Sequence, residues 1–475
     1  MKKIIILIIC SIALLQSYGQ LAESYLKKGN EKYKSIELEE AIKNYSKAIE
    51  IKSNFPEAYF RRAEAKFGRL KFNEAINDYD IVIKLSPVGF PEAYYKKALI
   101  LSFYTGNYEA KLQLCNNAIK LNPKYVEAYY LRGDTKCYLK DFQGALSDFT
   151  KAIQLNPSYN DTYLKRGELK YYLNDYKGAI ADFTKAIELN PKSYKAFFNR
   201  GRTKGELEDY TGALTDFNKA IELNPNSENY YVDRGVTKSE LEDYTGAIAD
   251  FDKAILLNNI DANTYHNRGR AKHFIEDYKG AIVDYNKAIE LNPNDDYYYH
   301  NRGRAKSILK DFRGAIEDFT KAIELNPDLT SAYYNRANTK TKLEDYRGAI
   351  TDYNKAIELN PNDDDYYNNR GIAKDDLQDY RGSISDYNKA IELNPGIAFY
   401  YYNRGRAKSI LKDFRGAIED FTKAIELNPK YTNAYYLRGL AKIVLKDTDG
   451  ACLDWSKAGE LGDAGAYDLI KKYCN

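Results

Sequence analysis

Aromatic and apolar positions along this chain recur with a step of 34 residues. Three series show it: Tyr231, Tyr265 and Tyr299; Tyr244, Tyr278 and Phe312; Phe251, Tyr285 and Phe319. The run Ala-Ile-Glu-Leu-Asn-Pro keeps the same step, ending at Pro191, Pro225, Pro293, Pro327, Pro361, Pro395 and Pro429, with close variants ending at Pro123 and Pro157. A fixed period of this length means one supersecondary unit stacked many times. Such an array presents a long repeated surface rather than one enclosed pocket.

Within the unit Ala262 to Asn294, the pattern predicts a helix over Tyr265–Ile275 and a second over about Tyr278–Leu291. Asp277 stands where an N-cap belongs, its carboxylate accepting from free backbone donors of the second helix. Asn292 and Pro293 end that helix, because proline disfavours helical geometry in the residue before it. All 12 prolines fall at or near junctions between units. Glycines fall in two phases, one in the first helix (Gly133, Gly201, Gly269, Gly405) and one near the start of the second (Gly144, Gly212, Gly280, Gly416). Glycine inside a helix costs about 1 kcal/mol relative to alanine. Its recurrence predicts closely crossing backbones, with small residues such as Ala281 in the contact. The aromatic series reads as core packing around that crossing.

The glycine of the first helix, the aromatic before Gly-Ala-Ile, the Lys-Ala-Ile pattern and the Asn-Pro close together resemble the tetratricopeptide repeat family. The resemblance covers residues 22 to 463. It implies an all-α fold: a right-handed α-solenoid, or superhelix, of about 13 antiparallel helix-pair repeats of 34 residues. It also implies that the first helices line a concave groove that holds an extended peptide or a partner's helix. The third repeat is irregular, with 36 residues from Pro87 to Pro123 and Lys111 where an alanine is expected. A bend is expected there. Residues 464–475 read as a C-terminal capping helix, Leu469 and Ile470 facing in and Lys471 and Lys472 facing out, after a last repeat with Trp455 in the aromatic slot.

Two departures from the family pattern stand out. Arginine precedes the first-helix glycine (Arg132, Arg166, Arg200, Arg234, Arg268, Arg438), and lysine follows four residues later (Lys136, Lys170, Lys204, Lys442). An aspartate series on the second helix runs in step (Asp148, Asp182, Asp216, Asp250, Asp454). Residues four apart share a helix face. The expected result is a ladder of Asp–Arg pairs, with the lysine stems covering apolar surface and their amines in water. The alternative use of these cations is an anion-binding track.

Along the expected groove, asparagine recurs at Asn199, Asn267, Asn301, Asn335, Asn369 and Asn403, and arginine at Arg202, Arg270, Arg304 and Arg406. Asparagine can donate to and accept from a peptide backbone, and arginine can fork onto a carboxylate. The same residues also suit a wet polar face with no partner. His266, His273 and His300 are the only histidines and belong to the same face. His266 and His273 stand two turns apart, roughly 10 Å by helix rise, too far to share one metal ion. They read as ligand contacts or as solvated side chains. No metal or cofactor is implied.

Charge and the two ends narrow the reading. The formal net charge of +3 falls to about +1 without Lys2 and Lys3, which disfavours a nucleic-acid binder needing a basic stripe. Lys2 and Lys3, the apolar run Ile4 to Leu15, and Ser17-Tyr18-Gly19 read as a signal peptide, 1–19, cleaved after Gly19. The run of about 12 apolar residues is shorter than the ~20 needed to span a bilayer. Cys10 as a lipidation site is the weaker reading, because bulky Ile9 precedes it. Residues 20–463 then form the repeat array of an exported protein, whether periplasmic, envelope-associated or secreted.

Cys115, Cys137, Cys452 and Cys474 follow the signal segment, an even number that permits disulfides in an exported chain. A turn at Gly462-Asp463 would bring Cys452 and Cys474 to the same end of two antiparallel helices, as a bridge or as two small buried residues. No phosphate loop, His-Glu-x-x-His or Gly-x-Ser-x-Gly pattern is present. Asn301 to Pro327 repeats identically as Asn403 to Pro429. The sequence thus predicts a non-enzymatic protein-interaction scaffold that binds peptide segments or partner helices in its groove. The alternative is an assembly factor of a cell-envelope complex docking through its convex face.

Overall fold

A computed structural model describes residues 2–104 and 106–474; the side chains of residues 2, 5–15 and 102–104 lie outside the described set, and the Cys10 reading falls among them. Twenty-seven α-helices, numbered α1 to α27 in chain order, and no strand are found among the described residues. They form two compact units, Met1–Asn226 and Ser227–Asn475. The first holds the antiparallel pairs from α1 (Lys2–Lys34) to α12 (Tyr210–Leu223). The second holds those from α13 (Glu228–Glu240) to α26 (Thr448–Glu460), then α27 (Ala464–Tyr473). The expected cut after Gly19 falls within α1, which runs on unbroken into the first pair. No helix among the described residues is long and apolar enough to cross a membrane.

The pair α15 (Ala262–Phe274) and α16 (Tyr278–Leu291) shows how the sequence builds a unit. The span of α16 agrees with the pattern. The first helix starts three residues earlier than expected, because Asp261 caps it and accepts from the Thr264 amide at 2.9 Å. Asp277 has two jobs. Its backbone N–H returns to the Lys272 carbonyl at 2.9 Å, closing α15, and its Oδ1 accepts from the Gly280 amide at 2.9 Å, opening α16. The reversal between them needs a left-handed residue, and Glu276 supplies it at φ 64°. At the other end Asn292 is extended, at φ −141° and ψ 94°, as the following Pro293 requires.

The two glycine phases have two different causes, and neither is a bare crossing of backbones. In the first helix, a Cβ on Gly303 would lie 2.8 Å from Cε1 of Phe319, so the glycine makes room for the core ring of the second helix. In the second helix, a Cβ on Gly280 would lie 2.0 Å from Oδ2 of Asp277, so that glycine makes room for the capping carboxylate.

The charge ladder is present and is fuller than expected. Arg302 donates from Nη2 to Asp318 Oδ1 at 2.6 Å and from Nε to Oδ2 at 2.9 Å. Its third nitrogen, Nη1, reaches back to Asn286 Oδ1 on the preceding pair at 2.7 Å. The same two-sided clasp recurs at Arg132, Arg166, Arg200, Arg268, Arg336, Arg370, Arg404 and Arg438. Each arginine therefore fastens its own pair and stitches it to the one before. The lysine amines are not in water. Lys306 Nζ lies 2.8 Å from Asp318 Oδ2 and 3.4 Å from the Gly314 carbonyl, because a buried carboxylate held by one cation still has a lone pair to fill. With both cations bound to aspartate, the ladder is not the anion track considered as its alternative.

Repeat three lacks the whole triad. Lys97, Leu101 and Leu114 stand where arginine, lysine and aspartate stand elsewhere, and Ala98 with Cys115 replaces glycine with an aromatic ring. Removing the aspartate would strand its cations, so apolar leucines replace two of the three together. Ala98 fills space that the smaller Cys115 leaves. Lys111, at the alanine position, is 2% exposed, with Asp134 Oδ2 at 3.5 Å from its amine.

At the C-terminus, Trp455 is fully buried and donates from Nε1 to the Tyr436 carbonyl at 3.2 Å. Ala466, Leu469 and Ile470 of α27 pack on it, while Lys471 and Lys472 are exposed. Cys452 and Cys474 are joined by a disulfide, with Cα atoms 5.9 Å apart. Cys115 and Cys137 are free thiols.

Candidate functional site

In each unit, consecutive first helices touch one another, as α15 touches α17 (Asp296–Ile308) and α17 touches α19 (Thr330–Lys342). The face they form carries the expected groove residues, and the structure divides these into two groups. The asparagines are largely engaged with the neighbouring first helix. Asn301 Nδ2 lies 2.8 Å from His266 Nε2, and Asn335 Nδ2 lies 3.0 Å from His300 Nε2. Asn369 donates to the Tyr334 hydroxyl at 2.8 Å, and buried Asn403 to Asn368 Oδ1 at 3.1 Å. In the first unit Asn199 donates to Glu168 Oε1 at 3.3 Å. These bonds link residues about one period apart, so they zip adjacent repeats together.

The arginines form the second group. Arg202, Arg270, Arg304 and Arg406 are all exposed. Arg202 lies over the rings of Tyr171 and Phe198, at 5.3 and 5.8 Å from their centroids. Arg406 stands near Asp375, a buried carboxyl pushed up by desolvation and drawn back by bonds from Ser383 and Tyr387 and by the Arg406 charge. Asp375 Oδ1 has no hydrogen-bond partner.

The histidines are neither solvated nor close together as metal ligands; among the described residues no cluster of metal-ligating groups occurs. His300 is 7% exposed, and His266 packs against the Tyr285 and Tyr298 rings. Burial, reinforced by Arg270, pushes His266 down to about 4, and burial with Arg304 does the same to His300. His273 is lowered by the same two causes, and its buried Nδ1 has no partner. All three imidazoles are therefore neutral at pH 7. A neutral Nε2 facing an asparagine NH₂ is an acceptor, which places the ring proton of His266 on Nδ1.

Open clefts lie along this face. One of about 310 Å³ is lined by His266, Arg270, His273, His300, Asn301 and Arg304. A second, of about 240 Å³, shares Arg270 and takes in Asn267, Glu240, Glu242, Tyr244 and Phe274. A third, of about 480 Å³, shares Arg304 and includes Asn335 and Lys342. The first unit has one of about 330 Å³ with Glu168, Tyr172, Asn199 and Arg202. The sequence reading missed the aromatic rims. Phe274 stacks on Tyr244 at 4.7 Å, and Phe274 and Tyr297 stay 56% and 55% exposed. Phe274 closes its helix at the position that Tyr138 and Tyr172 hold in earlier repeats, a signal that was available.

Family models described as tetratricopeptide repeat match residues 126–159, 164–228, 228–261, 262–295, 297–329, 330–363, 364–397 and 398–431. One described as TPR repeat matches 29–68. No curated protein matches the chain. Among solved structures, YrrB, described as a TPR protein with an unusual peptide-binding site, is 24% identical, covering 39% of this chain and 95% of that one at a TM-score of 0.36. A tetratricopeptide repeat protein from Parabacteroides merdae is 20% identical over 52% of this chain and 99% of its own, with a TM-score of 0.40. Cut9-Hcn1 of the APC/C is 15% identical over 96% of each chain, with a TM-score of 0.39.

Proposed function

The chain belongs to the tetratricopeptide repeat family, whose members bind proteins or peptides, and from that premise we propose that it is an exported, non-enzymatic scaffold that holds partner segments along the face of its first helices. One observation carries this reading. That face keeps Arg202, Arg270, Arg304 and Arg406 exposed, the first three beside open clefts, while the ladder arginine two residues before each is bound to aspartate. Arg270 and Arg304, one period apart, make no ion pair among the described residues and are available to a ligand. With the asparagines engaged sideways, arginine forks and aromatic rims carry recognition. The Cys452–Cys474 bridge favours an oxidising compartment, and so favours the export read from residues 1–19.

A second reading places docking on the opposite face. It draws on apolar side chains left open on second helices, with Val283 65% and Leu453 73% exposed. Affinity capture from the native envelope extract separates the two. Capture lost in Arg202→Ala/Arg270→Ala/Arg304→Ala/Arg406→Ala and kept in Val283→Lys/Leu453→Lys supports the first-helix face. The reverse pattern supports the second.

A further inference from the structure

We propose that the cleft between α15 and α17 binds a phosphoryl group, held by Arg270 and Arg304. The inference deepens the scaffold reading, and rests on it only for what carries the phosphoryl group.

Each of the two helices carries two arginines with opposite fates. Arg268 and Arg302 are saturated by the ladder. Arg270 and Arg304, two residues further on, are exposed and have no carboxylate within ion-pair distance among the described residues. Glu240 and Glu242 line the neighbouring cleft on the other side of Arg270 and make no ion pair with it. Both guanidiniums line this one cleft, together with Tyr285, His273 and His300. His273 lines the same cleft, but its Nδ1 is closed to water and therefore to a ligand oxygen, so the two guanidiniums are the donors.

Charge selects the class of anion. The neutral imidazoles leave the cleft with two positive charges. A carboxylate balances one of them and brings two oxygens. A phosphate monoester carries about −1.5 to −2 near pH 7 and brings three acceptor oxygens, matching the charge and giving both guanidinium forks an acceptor. Guanidinium forks suit that geometry. Phe274 and Tyr297 form an apolar rim that would pack beside the ester carbon.

The test uses the full chain with inorganic phosphate as probe, read by titration calorimetry, with acetate as comparison. Phosphate is expected to bind at least about tenfold more tightly than acetate. Arg270→Ala and Arg304→Ala should each weaken phosphate about tenfold or more. Arg313→Ala, an exposed arginine away from the cleft, should leave binding unchanged. The altered arginines are exposed, so folding is retained, which unchanged circular dichroism verifies. A phosphoserine peptide and phosphatidic acid vesicles then distinguish a protein from a lipid carrier; whichever binds should be released by Arg270→Ala/Arg304→Ala. Absence of phosphate binding, equal acetate binding, or unchanged affinity in the double variant overturns the site. Absent phosphate binding alongside capture that still depends on the arginine face removes this site and leaves the scaffold reading. Phosphate binding alongside capture indifferent to that face does the reverse.

Discussion

Asp318 accepts two hydrogen bonds from Arg302, at 2.6 and 2.9 Å, while its own side chain is 4% exposed. Lys306 completes the carboxylate at 2.8 Å. Removing Asp318 alone would strand two cations, so Asp318→Ala is expected to destabilise the second unit by about 3–5 kcal/mol. Repeat three indicates the remedy. Arg302→Lys, Lys306→Leu and Asp318→Leu together transplant the solution seen at Lys97, Leu101 and Leu114. The triple variant should recover most of the loss in urea unfolding. A triple variant no better than Asp318→Ala would contradict the view that the triad acts as one unit.

Gly303 offers a graded test of core packing. A methyl added there would sit 2.8 Å from the Phe319 ring, yet Ala337 occupies the same position one repeat on, above Tyr353. Gly303→Ala should therefore cost well under about 1 kcal/mol, because the ring can yield as Tyr353 has and alanine is the better helix former. Gly303→Val should cost about 1–3 kcal/mol by overpacking. Thermal unfolding of the two variants makes the comparison; equal losses would mean that the ring does not set the limit.

The helix pairs, their stops at proline, the aspartate caps and the Arg–Asp pairing were all legible in the sequence, because each rests on spacing within one unit. What was not legible lies between units or in backbone geometry. The asparagines looked free because a helix read alone shows which face a residue is on, not what meets it from the next repeat. Asn301 and His266 are one period plus one residue apart, and that offset is what brings their side chains together. The lysine amines were misplaced for a related reason: the second lone pair of a buried carboxylate has to be filled, and only coordinates show by what. The left-handed residue at Glu276 was missed because glutamate carries no signal for it.

That last omission gives a prediction. Glu242, Glu276, Lys310 and Glu344 all hold φ between 61° and 66°, a region costly for residues with a Cβ. Glu276 is exposed, so its side chain contributes little. Glu276→Gly should stabilise the protein by about 1 kcal/mol, and the same change at the other three should add nearly independently, since each serves a separate turn. The check is the urea midpoint of the quadruple variant, which should rise; a fall would show that unfolded-state entropy outweighs the relief of strain.

The buried histidines make stability depend on pH. His266 and His300 are lowered from 6.5 to about 4 in the folded chain, so between those values the unfolded chain binds more protons. Stability is therefore full above about pH 6.5 and is lost as pH falls toward 4, by roughly 3 kcal/mol for each residue. Asn368 holds the equivalent position two repeats after His300 and keeps the rung to Asn403, so asparagine can replace histidine there. His266→Asn/His300→Asn should flatten the decline. Carboxylates also titrate in this range, so the readout is the difference between the two proteins' unfolding free energies from pH 7 to 4. A constant difference would refute the assignment.

The Cys452–Cys474 bridge closes a loop with a sequence separation of 22, which constrains the unfolded chain by about 3 kcal/mol. The helix it fastens, α27, rests on Trp455 through Ala466, Leu469 and Ile470, while Tyr467, Lys471 and Lys472 are exposed. A helix packed on one side only opens more readily than one held between two neighbours. Reduction, or Cys474→Ser, should therefore raise amide exchange in α27 while the amides of α15 to α18 (Phe312–Leu325) keep their protection. Trp455 is the only tryptophan of the chain, so its fluorescence should report the opening as the indole meets water. Unchanged exchange in α27 after reduction would mean that packing on Trp455 alone holds the cap. Loss of protection throughout the second unit would mean that the cap governs the whole stack.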